Sequence, residues 1–313
     1  MMYRHIENKI VMVVRGTRLD ELIARFNTED QARFYVEHLG GDFSDYQIED
    51  RTYKRVIRDA QNLLSRHGRV QVVDRSFVPN FIFGSNDTVV AIGQDGLVAN
   101  VLKYLDDQLL IGVNPDINRW EGILLPFTVS ELDLLMPEVF ARKRPVAEVT
   151  MAQVKLNTGQ NLLAVNDLFI GPRSHTSARY LIQIGKKAEY HSSSGIIVST
   201  GLGSTGWLQS IFAGATGIAS ALSGLDLKPK ERKIIAWDAD YLYFSVREPW
   251  PSKTSGAEIT FGKVTQDQPL ILTSQMPENG VIFSDGIESD YLQFNSGMEA
   301  TITVADRKGH LVT

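Results

Sequence analysis

Continuous apolar runs and helix-period segments alternate through the first half of the chain. Residues 9–15 (KIVMVVR) read as a first strand. Thr28, with Gln31 three positions later, has the spacing of a capping box opening a helix that stops near Gly40-Gly41. A long polar helix is predicted between Tyr46 and Arg66, followed by a strand at 69–73. Residues 88–93 (TVVAIG), a helical stretch at 97–105 and residues 109–114 (LLIGVN) then make a strand–helix–strand unit. Two continuous apolar strands joined by a helical crossover pair in parallel, with both faces covered.

From about Pro145 the pattern changes to short strands separated by turn signals, at 179–185, 195–200, 241–246, 257–261, 270–273, 281–283 and 300–304. One helix interrupts them, starting near Gly206 and carrying Trp207, Ile211, Phe212, Ile218 and Leu222 at spacings of one helical face. The change falls between Leu135 and Pro145, where Arg142-Lys143-Arg144-Pro145 makes a charged connection stopped by proline. That basic triplet reads first as a solvated linker and second as a phosphate-binding surface. The expected fold is an α/β N-terminal domain over residues 1–140 and a β-rich C-terminal domain over residues 141–313.

Composition narrows the chemistry. The length of 313 residues suits two domains. With 37 acidic against 32 basic residues, the net charge of −5 provides no general field for nucleic acid or an anionic membrane. Having no cysteine, the chain has no disulfide, thiolate metal site, iron–sulfur cluster or cysteine nucleophile. Residues 1–9 are too polar for a signal-peptide core, and every apolar run is far shorter than the roughly 20 residues of a membrane span. The expectation is a cytoplasmic protein without nucleic-acid or membrane partners.

Three segments carry candidate chemistry. Ile92-Gly93-Gln94-Asp95-Gly96 lies where a buried strand runs into a helix. Open α/β sheets place ligands at that end of their strands, and a helix N-terminus offers free N–H groups and a positive dipole end to phosphate. The same field favours an ionised Asp95, suited to a base or to a metal bridging to phosphates. Ser199-Thr200-Gly201-Leu202-Gly203-Ser204-Thr205-Gly206-Trp207 supplies glycines and hydroxyls that can wrap an anionic or sugar-bearing ligand. Gly201, Gly203 and Gly206 also fit a dinucleotide fingerprint, but Asp226 sits in a polar loop (226–230) rather than closing a strand, so a dehydrogenase reading is disfavoured. In residues 164–170, Asn166 and Asp167 put an amide beside a carboxylate, a pair able to bridge ribose hydroxyls. His175 and His191 lie among serines and read as solvent contacts, and Asp285-Gly286 as a turn. No Walker loop, His-Glu-x-x-His motif or Gly-x-Ser-x-Gly elbow is present.

Taken in order, these segments resemble the NAD kinase family, over about residues 9–312. Gly93-Gln94-Asp95-Gly96 stands for its Gly-Gly-Asp-Gly loop, Asn166-Asp167 for its Asn-Glu, and residues 199–206 for its Ser-Thr-x-Thr-Gly-Ser-Thr-Ala segment. Likeness to the mitochondrial branch extends to Ile111-Gly112-Val113-Asn114-Pro115-Asp116, Glu121-Gly122, Ser193-Ser194-Gly195 and Phe244-Ser245-Val246-Arg247-Glu248-Pro249. The resemblance implies the two-domain NAD kinase and diacylglycerol kinase-like fold. It also implies transfer of the ATP γ-phosphate, with Mg2+, to the adenosine-ribose 2′-hydroxyl of NAD, in a homo-oligomer. Asp95 would be the base. Gly93, Gln94, Gly96, Gly203 and Ser204 would line the triphosphate, while Asn166, Asp167, Thr205, Gly206, Trp207 and Ser210 would hold NAD; the metal ligands are not specified. The departures are Gln94 for the second loop glycine, Leu97 for threonine, Asp167 for glutamate and Ser194 for aspartate. A lipid or sugar kinase of the same fold and a non-catalytic nucleotide-binding homologue are the competing readings, the second resting on Gln94.

Overall fold

The computed structural model describes residues 8–226 and 235–313, so residues 227–230 of the polar loop after Asp226 lie outside the described residues. Two compact units are formed, one from Met1–Ala147 with His310–Thr313 and the other from Glu148–Gly309.

In the first unit the elements are β1 (Lys9–Val14), α1 (Arg18–Phe26), α2 (Glu29–His38), α3 (Phe43–Leu64), β2 (Arg69–Asp74), β3 (Thr88–Ile92), α4 (Asp95–Leu102), β4 (Leu109–Val113) and α5 (Leu132–Phe140). The strands pair in parallel in the order β2-β1-β3-β4, and His310 and Leu311 add a parallel partner to Leu109 and Leu110. β3 is buried at every position, as the continuous apolar run requires. Ile10, Met12, Val90, Ile92, Ile111 and Val113 pack against Tyr53, Ala60 and Leu64 of α3 and Leu132, Leu135 and Met136 of α5.

Several boundaries differ from the sequence expectation. A reciprocal capping box forms at Thr17 and Asp20, opening the unforeseen α1, whereas Thr28 caps α2 by accepting the Gln31 N–H at 3.2 Å. α3 starts at Phe43 because Asp42 accepts the Ser44 N–H. α4 starts at Asp95, two residues before the predicted helix, with Gln94 extended at φ −114° as its N-cap. α5 occupies 132–140, which the sequence reading left without a helix.

Gly112 in β4 is fixed by a close approach: a Cβ there would stand 1.9 Å from the Leu124 carbonyl oxygen. Since that neighbour is backbone, Gly112→Ala is expected to lower stability by at least about 2 kcal/mol, read from the urea midpoint at unchanged slope.

The second unit is β-rich. Its strands are β5 (Val146–Leu156), β6 (Asn161–Ala164), β7 (Asp167–Pro172), β8 (Ala178–Ile184), β9 (Lys187–Ser193), β10 (Ile196–Ser199), β11 (Leu242–Val246), β12 (Phe261–Val264), β13 (Leu270–Ser274), β14 (Gly280–Ser284), β15 (Ile287–Gln293) and β16 (Glu299–Val312), with α6 (Trp207–Ser223) between β10 and β11. One sheet runs β16-β13-β8-β9, with β5 on β16 and β6 on β5; the other runs β12-β11-β10-β7-β14-β15, antiparallel throughout. Their inner faces share one core, including Tyr180, Ile182, Leu270, Ile170, Val198 and Phe244.

Two expectations about this unit are corrected. The strand predicted at 257–261 lies instead at Phe261–Val264, because the Glu258 and Ile259 N–H groups donate to the Glu189 carboxylate rather than to a ladder. His191 is buried on β9 rather than solvated, paired with Glu189 at 2.8 Å and stacked on Tyr180. In α6 only Leu208 is fully buried. Trp207 stacks on Phe169 and Phe212 meets Phe261 edge-on, both on the outer face of the second sheet, whereas Ile218 and Leu222 face solvent.

Candidate functional site

The candidate residues form two groups, one in each unit. In the first unit, Gly93 leaves the end of β3 and donates its N–H to Val113 O at the end of β4 (3.2 Å). Gln94 then caps α4 with no side-chain bond, so Asp95 occupies the helix's first position. The negative φ of Gln94 is one that any residue adopts; a side chain in place of the second loop glycine costs no left-handed strain. Leu97 is buried, packing its side chain toward Gly93.

Asp95 is half-buried, and its Oδ1 accepts the Leu124 N–H at 2.7 Å. That donor is placed by the 114–125 loop. Asn114 Nδ2 donates to Trp120 O (3.0 Å), the Asp116 N–H donates to Asn114 Oδ1 (3.0 Å), and the Leu125 N–H donates to Gly122 O (3.0 Å). The Asn114-Pro115-Asp116 and Glu121-Gly122 motifs thus build the strap that orients the carboxylate. Asp95 Oδ2 has no hydrogen-bond partner among the described residues. A Cβ on Gly96 would meet nothing within 4 Å, which leaves the approach to the helix N-terminus open.

Sequence reasoning missed Arg15, just beyond the end of β1. Its guanidinium donates to Gly16 O (2.9 Å), pairs with buried Glu49 (3.1 Å) and lies over Tyr53. Tyr53 in turn donates to Ile92 O at 2.7 Å, and burial pushes its hydroxyl up to about 12. Arg15 Nε is buried without a hydrogen-bond partner among the described residues, within 4 Å of the space above the Gly93 Cα. A cation is therefore held beside the glycine loop. The available signal was an arginine ending an apolar strand that neighbours the loop-bearing one.

In the second unit the β6–β7 turn, the 199–206 loop and the β14–β15 turn converge. Asp285 and Gly286 have φ of 54° and 69°, the signature of a tight hairpin turn. The Asp285 carboxylate accepts the N–H groups of Val165 (3.0 Å), Asn166 (2.7 Å) and Asp167 (3.3 Å). Thr200 Oγ1 donates to Val165 O (2.5 Å) and accepts the Gly203 N–H (3.1 Å), while the Thr200 N–H donates to Asn166 O (3.0 Å). A Cβ on Gly203 would lie 2.0 Å from Asn166 O, so only glycine lets the two loops touch. The structure therefore brings Asn166, Asp167, Gly203 and Ser204 together through Thr200, which lies in the candidate segment, and through Asp285, which the sequence reading took for a turn.

The remaining candidates continue from this loop. Ser204 donates its hydroxyl proton to Gly201 O at 2.6 Å, so in this arrangement its hydroxyl offers only acceptor lone pairs. Thr205 and Gly206 are exposed, and exposed Ser210 makes a long contact to Gly206 O at 3.4 Å. The Trp207 ring lies 5.8 Å from Phe169, nearly parallel, with Arg247 over both rings. One face of Trp207 is thereby occupied by protein.

Burial, with the Asp285 carboxylate adding to it, pushes Asp167 up to about 7. Between pH 4 and 7 the folded chain therefore keeps a proton that the unfolded chain has lost, and stability falls as pH rises through that window. Asp167→Asn is expected to stabilise the protein above pH 7, by on the order of 2–4 kcal/mol, and by less than half as much at pH 5. Urea denaturation at the two pH values checks this; an equal effect at both removes the titration.

No family model matches the chain, and no curated protein sequence matches it. Among solved structures it is similar to an NAD kinase from Archaeoglobus fulgidus in complex with ATP, at 16% identity over 97% of this chain and 93% of that one, with a TM-score of 0.53. It is also similar to yeast NADH kinase complexed with NADH, at 13% identity over 98% and 83% of the two chains, with a TM-score of 0.56. The fold, an α/β N-terminal region followed by a β-rich region, is that of the two-domain NAD kinases.

Proposed function

We propose that this chain is an NAD kinase-like phosphotransferase, transferring the ATP γ-phosphate to the 2′-hydroxyl of the adenosine ribose of NAD to give NADP. The observation that carries the reading is Asp95 at the first position of α4, one oxygen held by Leu124 and the other without a partner among the described residues. Likeness in fold to kinases solved with ATP and with NADH supports it, as does the order of the three segments. The wider run of motifs, Asn114-Pro115-Asp116 among them, supports a likeness to the mitochondrial branch.

In this reading the 2′-oxygen attacks the γ-phosphorus, forming one O–P bond as the bond to the β-phosphate oxygen breaks and ADP leaves. The hydroxyl proton passes to Asp95. The N–H groups of Gln94, Asp95 and Gly96 at the start of α4 cradle phosphate beside Gly93, whose own N–H is held by Val113 O; Gly203 and Ser204 line the triphosphate, and Arg15 adds a fixed positive charge. Asn166, Asp167, Thr205, Gly206, Trp207 and Ser210 orient NAD. At pH 7 about half of Asp167 carries a proton and donates as well as accepts, a property suited to a ribose hydroxyl.

Among the described residues no three His, Asp or Glu side chains converge as a metal cage. Mg2+ keeps several waters and is usually held by one or two carboxylates plus substrate phosphates; Asp95 is the acidic side chain of the loop that would hold it. When bound, Mg2+ neutralises phosphate charge. A homo-oligomer belongs to the same proposal. Among the described residues no helix is long and apolar enough to cross a membrane.

The test incubates the protein with Mg2+ and ATP or polyphosphate, and with NAD or NADH, and follows NADP or NADPH. Turnover by either donor supports the reading. Calorimetric binding of ATP without binding of NAD or NADH transfers the proposal to a lipid or sugar kinase. Tight dinucleotide binding without turnover favours a non-catalytic homologue.

A further inference from the structure

A cavity of about 430 Å3 lies wholly within the first unit and is lined by Asp107, Leu109, Val139, Arg142, Arg144, Val146 and His310. Gly93 is bonded to Val113 at the C-terminal end of β4, whereas this cavity begins at Leu109, the strand's first residue. At about 3.3 Å per residue, the two lie roughly 13 Å apart along the strand.

Its cationic lining is built rather than incidental. Arg142 follows α5 with φ of 51°, in the left-handed position that glycine ordinarily takes after a helix, its N–H donating to Val139 O (2.9 Å). Lys143, exposed like Arg142, does not line the cavity. Arg142 and Arg144 do line it. Arg144 lies over the Phe127 ring at 5.6 Å, and its Nε is 3.0 Å from the Glu138 carboxylate but makes no hydrogen bond. Arg142 has no acidic partner among the described residues, and His310 is 3.9 Å from Asp107 at the exposed rim.

We propose that this cavity binds a small organic anion, its phosphate or carboxylate head between Arg142, Arg144 and His310 and its apolar body on Leu109, Val139 and Val146. Two guanidiniums provide forked donors for such a head. The volume exceeds that of a bare ion and falls within the range of small-molecule sites. This proposal stands whether or not the chain phosphorylates NAD.

Calorimetry with inorganic phosphate, phenyl phosphate and phenylacetate tests it, with Arg142→Gly distinguishing this cavity from the glycine loop. Phenyl phosphate or phenylacetate is expected to bind at least tenfold more tightly than inorganic phosphate, and the stronger of the two identifies the head group. Arg142→Gly is expected to keep or raise the thermal midpoint, by relieving the left-handed arginine, while weakening that binding at least tenfold; Arg142→Lys should retain part of it. Absence of binding by all three probes overturns the proposal. So does unchanged affinity in Arg142→Gly.

Discussion

Asp95→Asn is expected to lower the rate of NADP formation by about 10²- to 10⁴-fold, the usual contribution of a positioned general base. Asparagine keeps an oxygen able to accept the Leu124 N–H, so the strap over α4 should stay closed and stability should change little. It cannot take a proton from the ribose hydroxyl. The loss should therefore fall on kcat, with the KM values for ATP and NAD within a few-fold of wild type. Equal rates in variant and wild type would exclude Asp95 as the base and return the glycine loop to a purely binding role. A large rise in KM with kcat intact would assign Asp95 to phosphate or metal binding instead.

Asp285 carries the second large effect. Its carboxylate holds three consecutive N–H groups, and no other side chain among the described residues does this for the Asn166-Asp167 turn. Asp285→Ala leaves those donors unpaired within a partly buried turn, which is expected to cost about 2–4 kcal/mol of stability. It should also raise the KM for NAD at least tenfold, with a smaller effect on ATP. Asp285→Asn keeps an acceptor and should restore most of the stability. Because it removes the neighbouring charge, it should also move the titration of Asp167 down from about 7. Urea midpoints together with a pH profile separate the two contributions. If Asp285→Ala leaves both stability and NAD affinity unchanged, Asp285 is a turn residue and no more.

How much of this was legible in the sequence depended on whether a residue's partner was near in the chain. β1, β3 and β4 were readable because strands buried on both faces are apolar without interruption. β9 was not: Lys187-Ala188-Glu189-Tyr190-His191-Ser192-Ser193 looks like a solvated loop, and its two buried residues, His191 and Ser193, bond Glu189 and Tyr180. Gly93, Asp95 and Gly203 announced themselves through glycine and acid at a strand end. Asp285 did not, since Asp-Gly marks a turn whether its carboxylate faces water or grips a loop 120 residues earlier. Arg15 was silent for the same reason, because Glu49 and the loop at Gly93 become its neighbours only when the parallel sheet forms.

Residues 310–313, which belong to the first unit, have a consequence for biosynthesis. Paired with Leu109 and Leu110, they close the open edge of β4, yet residues 148–309 must be made before they emerge. At ordinary elongation rates that interval is on the order of ten seconds. Throughout it the nascent N-terminal sheet presents unpaired backbone donors and acceptors beside an apolar strand, an invitation to strand exchange between neighbouring chains. Slower translation of the second half is expected to lengthen the time for which that edge stays open.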